Sequence, residues 1–171
     1  EAATYSSTVS SCASIDAHRP VVSSVSASPA SGALKVGDTL VVTVMGEDGA
    51  EDEGMVAGSS ASTVNGVEVS LVDEGSGEYS LTYIVSEGDA DRAADAVPVV
   101  VSVRDPAGNE AALHTSGPSS SPSIDANTPT ITGASVSPEG GLLQVGDEVT
   151  ITLSVSDLDS SGASPSGSSL A

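Results

Sequence analysis

Four side chains in this sequence have the chemistry to hold a hard cation: Asp16, Asp105, Asn109 and Asp125. Carboxylate and amide oxygens are the ligands Ca²⁺ takes, gathered from several chain segments at once. Asp105 and Asn109 flank the turn in "RDPAGNE", and Asp16 and Asp125 each sit in a copy of "SIDA". The plainer reading is that Asp105 and Asn109 only shape the turn and that Asp16 only caps a strand entry. Other chemistry finds little support. Serine is abundant, but no G-x-S-x-G elbow occurs, and neither a P-loop nor a dinucleotide fingerprint is present. His18 and His114 do not fall at ligand spacing with the single cysteine, Cys12. Cys12 has no partner within the chain, so it is either a free thiol or the site of an intermolecular disulfide. No enzymatic activity is expected. The acidic runs Glu47–Glu53 and Glu87–Asp91 read as solvated loops, and Asp38 and Asp147, each after a glycine, read as turn formers.

Charge excludes whole classes of partner. Acidic residues outnumber basic ones 24 to 4, for a net charge of -20. Such a surface repels nucleic acid and anionic membranes. No apolar run approaches the roughly 18 residues of a membrane span. Aromatic residues amount to three Tyr, with no Phe or Trp, so the core must be built from Val, Leu, Ile and Ala.

The strongest signal is an internal repeat. A shift of 109 residues lays "SIDAHRPVVSSVSASPASGALKVGDTLVVTV" (14–44) on "SIDANTPTITGASVSPEGGLLQVGDEVTITL" (123–153) without a gap. Pro20 meets Pro129, Pro29 meets Pro138, and Val36-Gly37-Asp38 meets Val145-Gly146-Asp147. Glu1-Ala2-Ala3 meets Glu110-Ala111-Ala112, so the chain opens inside a repeat. Another D-x-x-G-N loop is therefore expected before Glu1, and the chain is expected to be a piece of a longer tandem array. A period of this length describes whole domains in series rather than a solenoid. The phase of the repeat divides the chain at 1–13 (the tail of a preceding copy, or a donated strand), 14–122 (one complete copy) and 123–171 (an incomplete next copy).

Within one copy, apolar and small polar residues alternate over short runs. "TLVVTV" (39–44), "VEVSLV" (67–72), "YSLTYIV" (79–85) and "VPVVVSV" (97–103) read as strands, with others beginning at Val21 and crossing 110–115. No stretch shows a helical period. "VVVSVRDPAGNEAAL" reads as a hairpin, with Val42, Leu81 and Val101 pointing inward. About seven short strands per copy describe an all-β fold, an immunoglobulin-like β-sandwich in tandem.

"LKVGDTLVVTV", "STVNGVEVSLVDEGSGEYSLTYIVSEGD" and "VVVSVRDPAGNEAA", followed by "SIDANTPTI", resemble the tandem bacterial-type Ig-like repeats of giant extracellular surface proteins. Similar repeats occur in microbial adhesins and in the filament proteins of algal flagellar hairs (mastigonemes). The resemblance covers nearly the whole chain and speaks to fold more than to role. It implies an extracellular or cell-surface location and a non-enzymatic, load-bearing part. In adhesins of this kind calcium at the domain junctions stiffens the rod, which makes calcium the candidate ligand for Asp16, Asp105, Asn109 and Asp125.

Two uses of such a string remain. In the first, copies form a homopolymeric fibril, joined by strand exchange, with neighbouring Ig-like repeats as partners. In the second, the repeats are the calcium-stiffened stalk of an adhesin. A carbohydrate-binding module is a weaker third, because sugar platforms need aromatic faces. The sequence lacks N-x-S/T acceptors, but "SASPAS" (26–31), "SGPSSSPS" (116–123) and "SSGASPSGSS" (160–169) suit either O-linked glycans or plain flexible linkers.

Overall fold

The computed structural model describes residues 15–47 and 54–156. Cys12, acidic residues 48–53 and the Ser/Gly-rich stretch 160–169 lie outside the described residues. Those described form thirteen strands and no helix: β1 (Val21–Ser28), β2 (Ala33–Lys35), β3 (Thr39–Glu47), β4 (Val56–Ala57), β5 (Ser62–Val64), β6 (Val67–Val69), β7 (Leu71–Gly75), β8 (Glu78–Ile84), β9 (Val99–Val100), β10 (Val103–Arg104), β11 (Ser123–Asp125), β12 (Thr130–Ser137) and β13 (Thr150–Ser156).

The largest sheet is four-stranded, in the order β1-β3-β8-β7. Its centre follows from a period of two. Leu40, Val42 and Val44 alternate with Thr39, Val41 and Thr43 along β3, and Tyr79, Leu81 and Tyr83 alternate along β8. Antiparallel pairing sets Leu40 opposite Tyr83, Val42 opposite Leu81 and Val44 opposite Tyr79. Each cross-strand pair thus faces the same core. The smaller sheets, β6-β5-β9 and β10-β4, bring Val64, Val99 and Val103 to that core, joined by Val101. The β5–β6 hairpin turns on Asn65-Gly66, at φ 55 and 80, the left-handed pair that a two-residue hairpin loop requires. The architecture is all-β, several sheets around one core, compatible with a β-sandwich. Val42, Leu81 and Val101 are fully buried, as their place in the alternation predicts.

Three expectations need adjustment. The strand at 67–72 breaks at Ser70: β6 pairs with β5, while β7 pairs with β8 in the four-stranded sheet. The chain changes sheets there, because the partners β5 and β8 belong to different sheets. The return arm of the hairpin at 110–115 is reduced to isolated bridges, Arg104 with Glu110 and Val101 with His114. The two bridges differ in register by one residue, so the ladder is interrupted between them. The "SGPSSSPS" segment is no loose linker, since Pro118, Ser121 and Pro122 are buried.

The first unit closes with a strand that the repeat phase assigns to the next copy. β11 runs parallel to β2, with Ile124 opposite Leu34, and Ile124 and Ala126 enter the core. Only after Ala126 does the chain leave for β12 and β13. β12 repeats β1 residue for residue, and β13 repeats β3 from Val41 onward. Thr130 faces Ser156 as Val21 faces Glu47, and the irregularity between Val22 and Ser24 recurs between Ile131 and Gly133.

The core alternation makes a direct prediction. Leu81→Ala should lower the stability of the first unit by about 2–5 kcal/mol, read from its chemical-denaturation midpoint. Thr82→Ala, one residue along on the exposed face, should stay within about 0.5 kcal/mol of the parent. Equal losses would place the wrong residue inside.

Candidate functional site

The structure divides the four candidate cation ligands between two ends of the first unit. β3 spans the distance: Glu47 at one end lies opposite Val21, and Thr39 at the other lies opposite Ile84. Asp16 lies just before Val21, at the first end. Asp125 lies at the second, opposite Lys35.

At the first end Asp16, Asp105 and Asn109 come together. The turn after β10 closes when Asp105 N–H donates to the Asn109 carbonyl (3.2 Å) and Gly108 N–H to the Asp105 carbonyl (3.1 Å). The buried Asp105 carboxylate is held from both sides. Its Oδ1 accepts the Asn109 N–H at 2.7 Å, and its Oδ2 accepts the Asn109 Nδ2–H at 2.8 Å. The same Asn109 amide reaches the Asp16 carbonyl at 3.4 Å. Asp16 Oδ1 accepts the His18 N–H at 2.9 Å, with His18 Nδ1 at 3.8 Å. Asp16 Oδ2 is buried, and among the described residues it finds no hydrogen-bond partner. Burial pushes the Asp105 carboxyl up. The Asn109 side chain and amide and the Gly108 amide together outweigh burial and hold it below the ordinary 3.8.

At the second end the acids act as a clamp on the exit segment. Asp125 Oδ1 accepts the Asn127 N–H at 3.2 Å. Asp91 Oδ1 accepts the Ala126 N–H (2.8 Å) and the Asn127 Nδ2–H (2.9 Å). Glu87 takes the Thr128 N–H at 3.0 Å and its hydroxyl at 2.7 Å, bonds that hold its carboxyl below the usual range. Asp89 Oδ2 accepts from the Tyr83 hydroxyl (2.8 Å) and the Ser86 N–H (2.9 Å). Burial, with Asp89 adding to it and Asn65 opposing, pushes the Tyr83 hydroxyl up to about 12. The run 87–91 is therefore an exposed loop, as expected, but an organised one, its carboxylates bonded to fixed partners. Glu87 and Asp91 are the residues that sequence reasoning missed. Their partners lie 35 to 41 positions away, so no local pattern announces them.

Among the described residues no three His, Cys, Asp or Glu side chains converge on one point. A groove of about 390 Å³ runs between Arg19–Val22 and Ala112–His114. Its polar groups are few, and His114 Nε2 already lies 3.0 Å from the Ser116 carbonyl. No family model matches the chain, and neither does any curated protein or solved structure among those compared.

The Asp105 arrangement predicts a pH dependence. A folded-state value below 3.8 contributes stability that is present above that value and lost as pH falls through the lower folded one. The denaturation midpoint should therefore fall on acidification below about pH 4. Asp105→Asn should make that fall shallower; a mutant profile parallel to the parent's would remove Asp105 as a contributor.

Proposed function

We propose that the chain is a non-enzymatic structural subunit of an extracellular filament built from tandem immunoglobulin-like β-sandwich repeats. The observation that carries this reading is the return of one hairpin. β12 and β13 reproduce β1 and β3 at a constant spacing of 109 residues, with the same pairing and the same irregularity. A module that repeats at this level of detail is a building unit. Its joint is also built: Glu87, Asp91 and Gly88 hold Ala126, Asn127 and Thr128 through backbone and side-chain bonds, which fixes how the chain leaves one unit for the next. An acidic surface keeps such units soluble and apart until they are joined end to end. Cys12 is available in this reading to cross-link neighbouring chains. Ser119 and Ser120 are exposed and can carry O-linked sugars, whereas the Ser121 hydroxyl is buried and cannot. Electron microscopy of the native, unfractionated material should show fibrils with a regular axial repeat; loose strings without lateral order would sink the filament.

A specific observation favours a second reading, a calcium-stiffened stalk. Asp16 Oδ2 is a buried carboxylate oxygen without a partner among the described residues, beside the buried Asp105 carboxyl. A hard cation would satisfy both. The fit is partial, because Asp105 already accepts from Asn109 through both oxygens and Ca²⁺ takes about six to eight oxygens. Asp125, at the opposite end, would serve the equivalent place in the following copy. Calorimetric titration of the chain with CaCl₂ should show one binding event that Asp16→Asn abolishes. Heat unchanged by that substitution would leave the pair as turn chemistry only.

A further inference from the structure

β12 and β13 carry a sheet face that the rest of the described chain leaves uncovered. In the first unit Leu40, Val42 and Val44 are fully buried. Their counterparts Val149, Ile151 and Leu153 are 49%, 68% and 54% exposed. Thr150, Thr152 and Ser154 alternate with them on the other side, so the apolar residues share one face. Ile131 and Val136 on β12 and Val155 on β13 extend that face, all exposed. β3 has neighbours on both edges, β1 and β8, whereas among the described residues β13 has only β12. The edge that β3 gives to β8 is open on β13. A two-stranded hairpin with one apolar face is marginal alone, and an open edge invites a further strand.

We propose that the open edge of β13 is an acceptor for one antiparallel strand of the β8 type, supplied by a second copy of this repeat. The inference rests on the tandem-repeat reading above and deepens it by naming the joint, its register and the chemistry of the donor. The first unit shows what fits. Tyr83, Leu81 and Tyr79 stand opposite Leu40, Val42 and Val44. Carried forward by the repeat, they stand opposite Val149, Ile151 and Leu153, with Ser80 opposite Thr152 and Glu78 opposite Ser154. The donor therefore needs large apolar side chains at three alternate positions and a small polar residue between them. The sequence of residues 157–171 does not carry that pattern, since Leu158 and Leu170 are its only large apolar side chains. Main-chain hydrogen bonds would hold the strand, and the alternating side chains would fix its register.

The probe is a labelled synthetic peptide with the sequence of Glu78–Ser86, added to the 171-residue chain. It should bind saturably, and amide exchange should slow along Glu148–Ser154 while β3 stays unchanged. Ile151→Glu on the apolar face should weaken binding at least tenfold, and Thr152→Glu on the opposite face should not. Register is tested separately, without touching the apolar face. In a Cys12→Ser background, Thr152→Cys should form a disulfide with a peptide bearing Cys in place of Ser80, and Ser154→Cys should not. Absence of binding, protection falling on β3 instead of β13, or equal cross-linking at both positions would each overturn the acceptor edge, whether or not microscopy shows fibrils.

Discussion

The pairing of β3 with β8 is the contact on which the first unit depends. It is a ladder of seven registered residue pairs, and every large side chain of the core's centre is on it or faces it. With no Phe or Trp, the protein has few residues bulky enough to span a wide interior. Tyr79 and Tyr83 are the exceptions, and both are nearly fully buried with their hydroxyls bonded, to the Met55 N–H and to Asp89. Around them the core is mostly Val and Leu, which fill a thin layer at high density when strands lie close. Because the pairing has a period of two, a slip by one residue would turn all of these outward at once. Register and core are thus one constraint.

The acids serve a different purpose from the core. The chain carries a large negative charge, yet the carboxylates that matter structurally accept hydrogen bonds from backbone amides. Asp38 accepts from Lys35, Asp91 from Ala126, Glu87 from Thr128 and Asp105 from Asn109. A carboxylate bonded to amides forms a strong acceptor without needing a cation, and cations are scarce in this sequence. Self-repulsion over the surface is tolerated because turns and the exit segment use that charge as glue. Asp16 stands apart, with an oxygen that nothing in the described chain satisfies.

The same hairpin exists twice in this molecule in two environments. Around β3 it is enclosed, and around β13 the other described residues leave it bare. The backbone pairing is nevertheless the same in both. Hairpin geometry is therefore set locally, by the turn and the alternation, and does not wait for the core. What the core adds is stability and the fate of the apolar face.

The strands at 39–44 and 79–85 were legible because alternation sustained over six or more residues is the mark of a strand with one buried face, and the inward positions of Val42, Leu81 and Val101 followed from it. The repeat was legible because two segments can be compared directly. The break at Ser70 was not legible, since "VEVSLV" alternates without interruption and only the neighbouring strands decide that it must change sheets. The short β2 and β11 were likewise invisible: three residues carry no period, and Ile124 is drawn to Leu34 by a core that the first unit has to close. Of the candidate site, the residue types and the turn at 105–109 were written in the sequence. That Asp16 joins that turn and Asp125 does not was decided by tertiary structure, because the length of β3 separates the two ends. Local order in this protein follows from nearest neighbours along the chain, whereas the choice of sheet, the closing strand and the grouping of acids depend on contacts tens of residues apart, which no short stretch of sequence encodes.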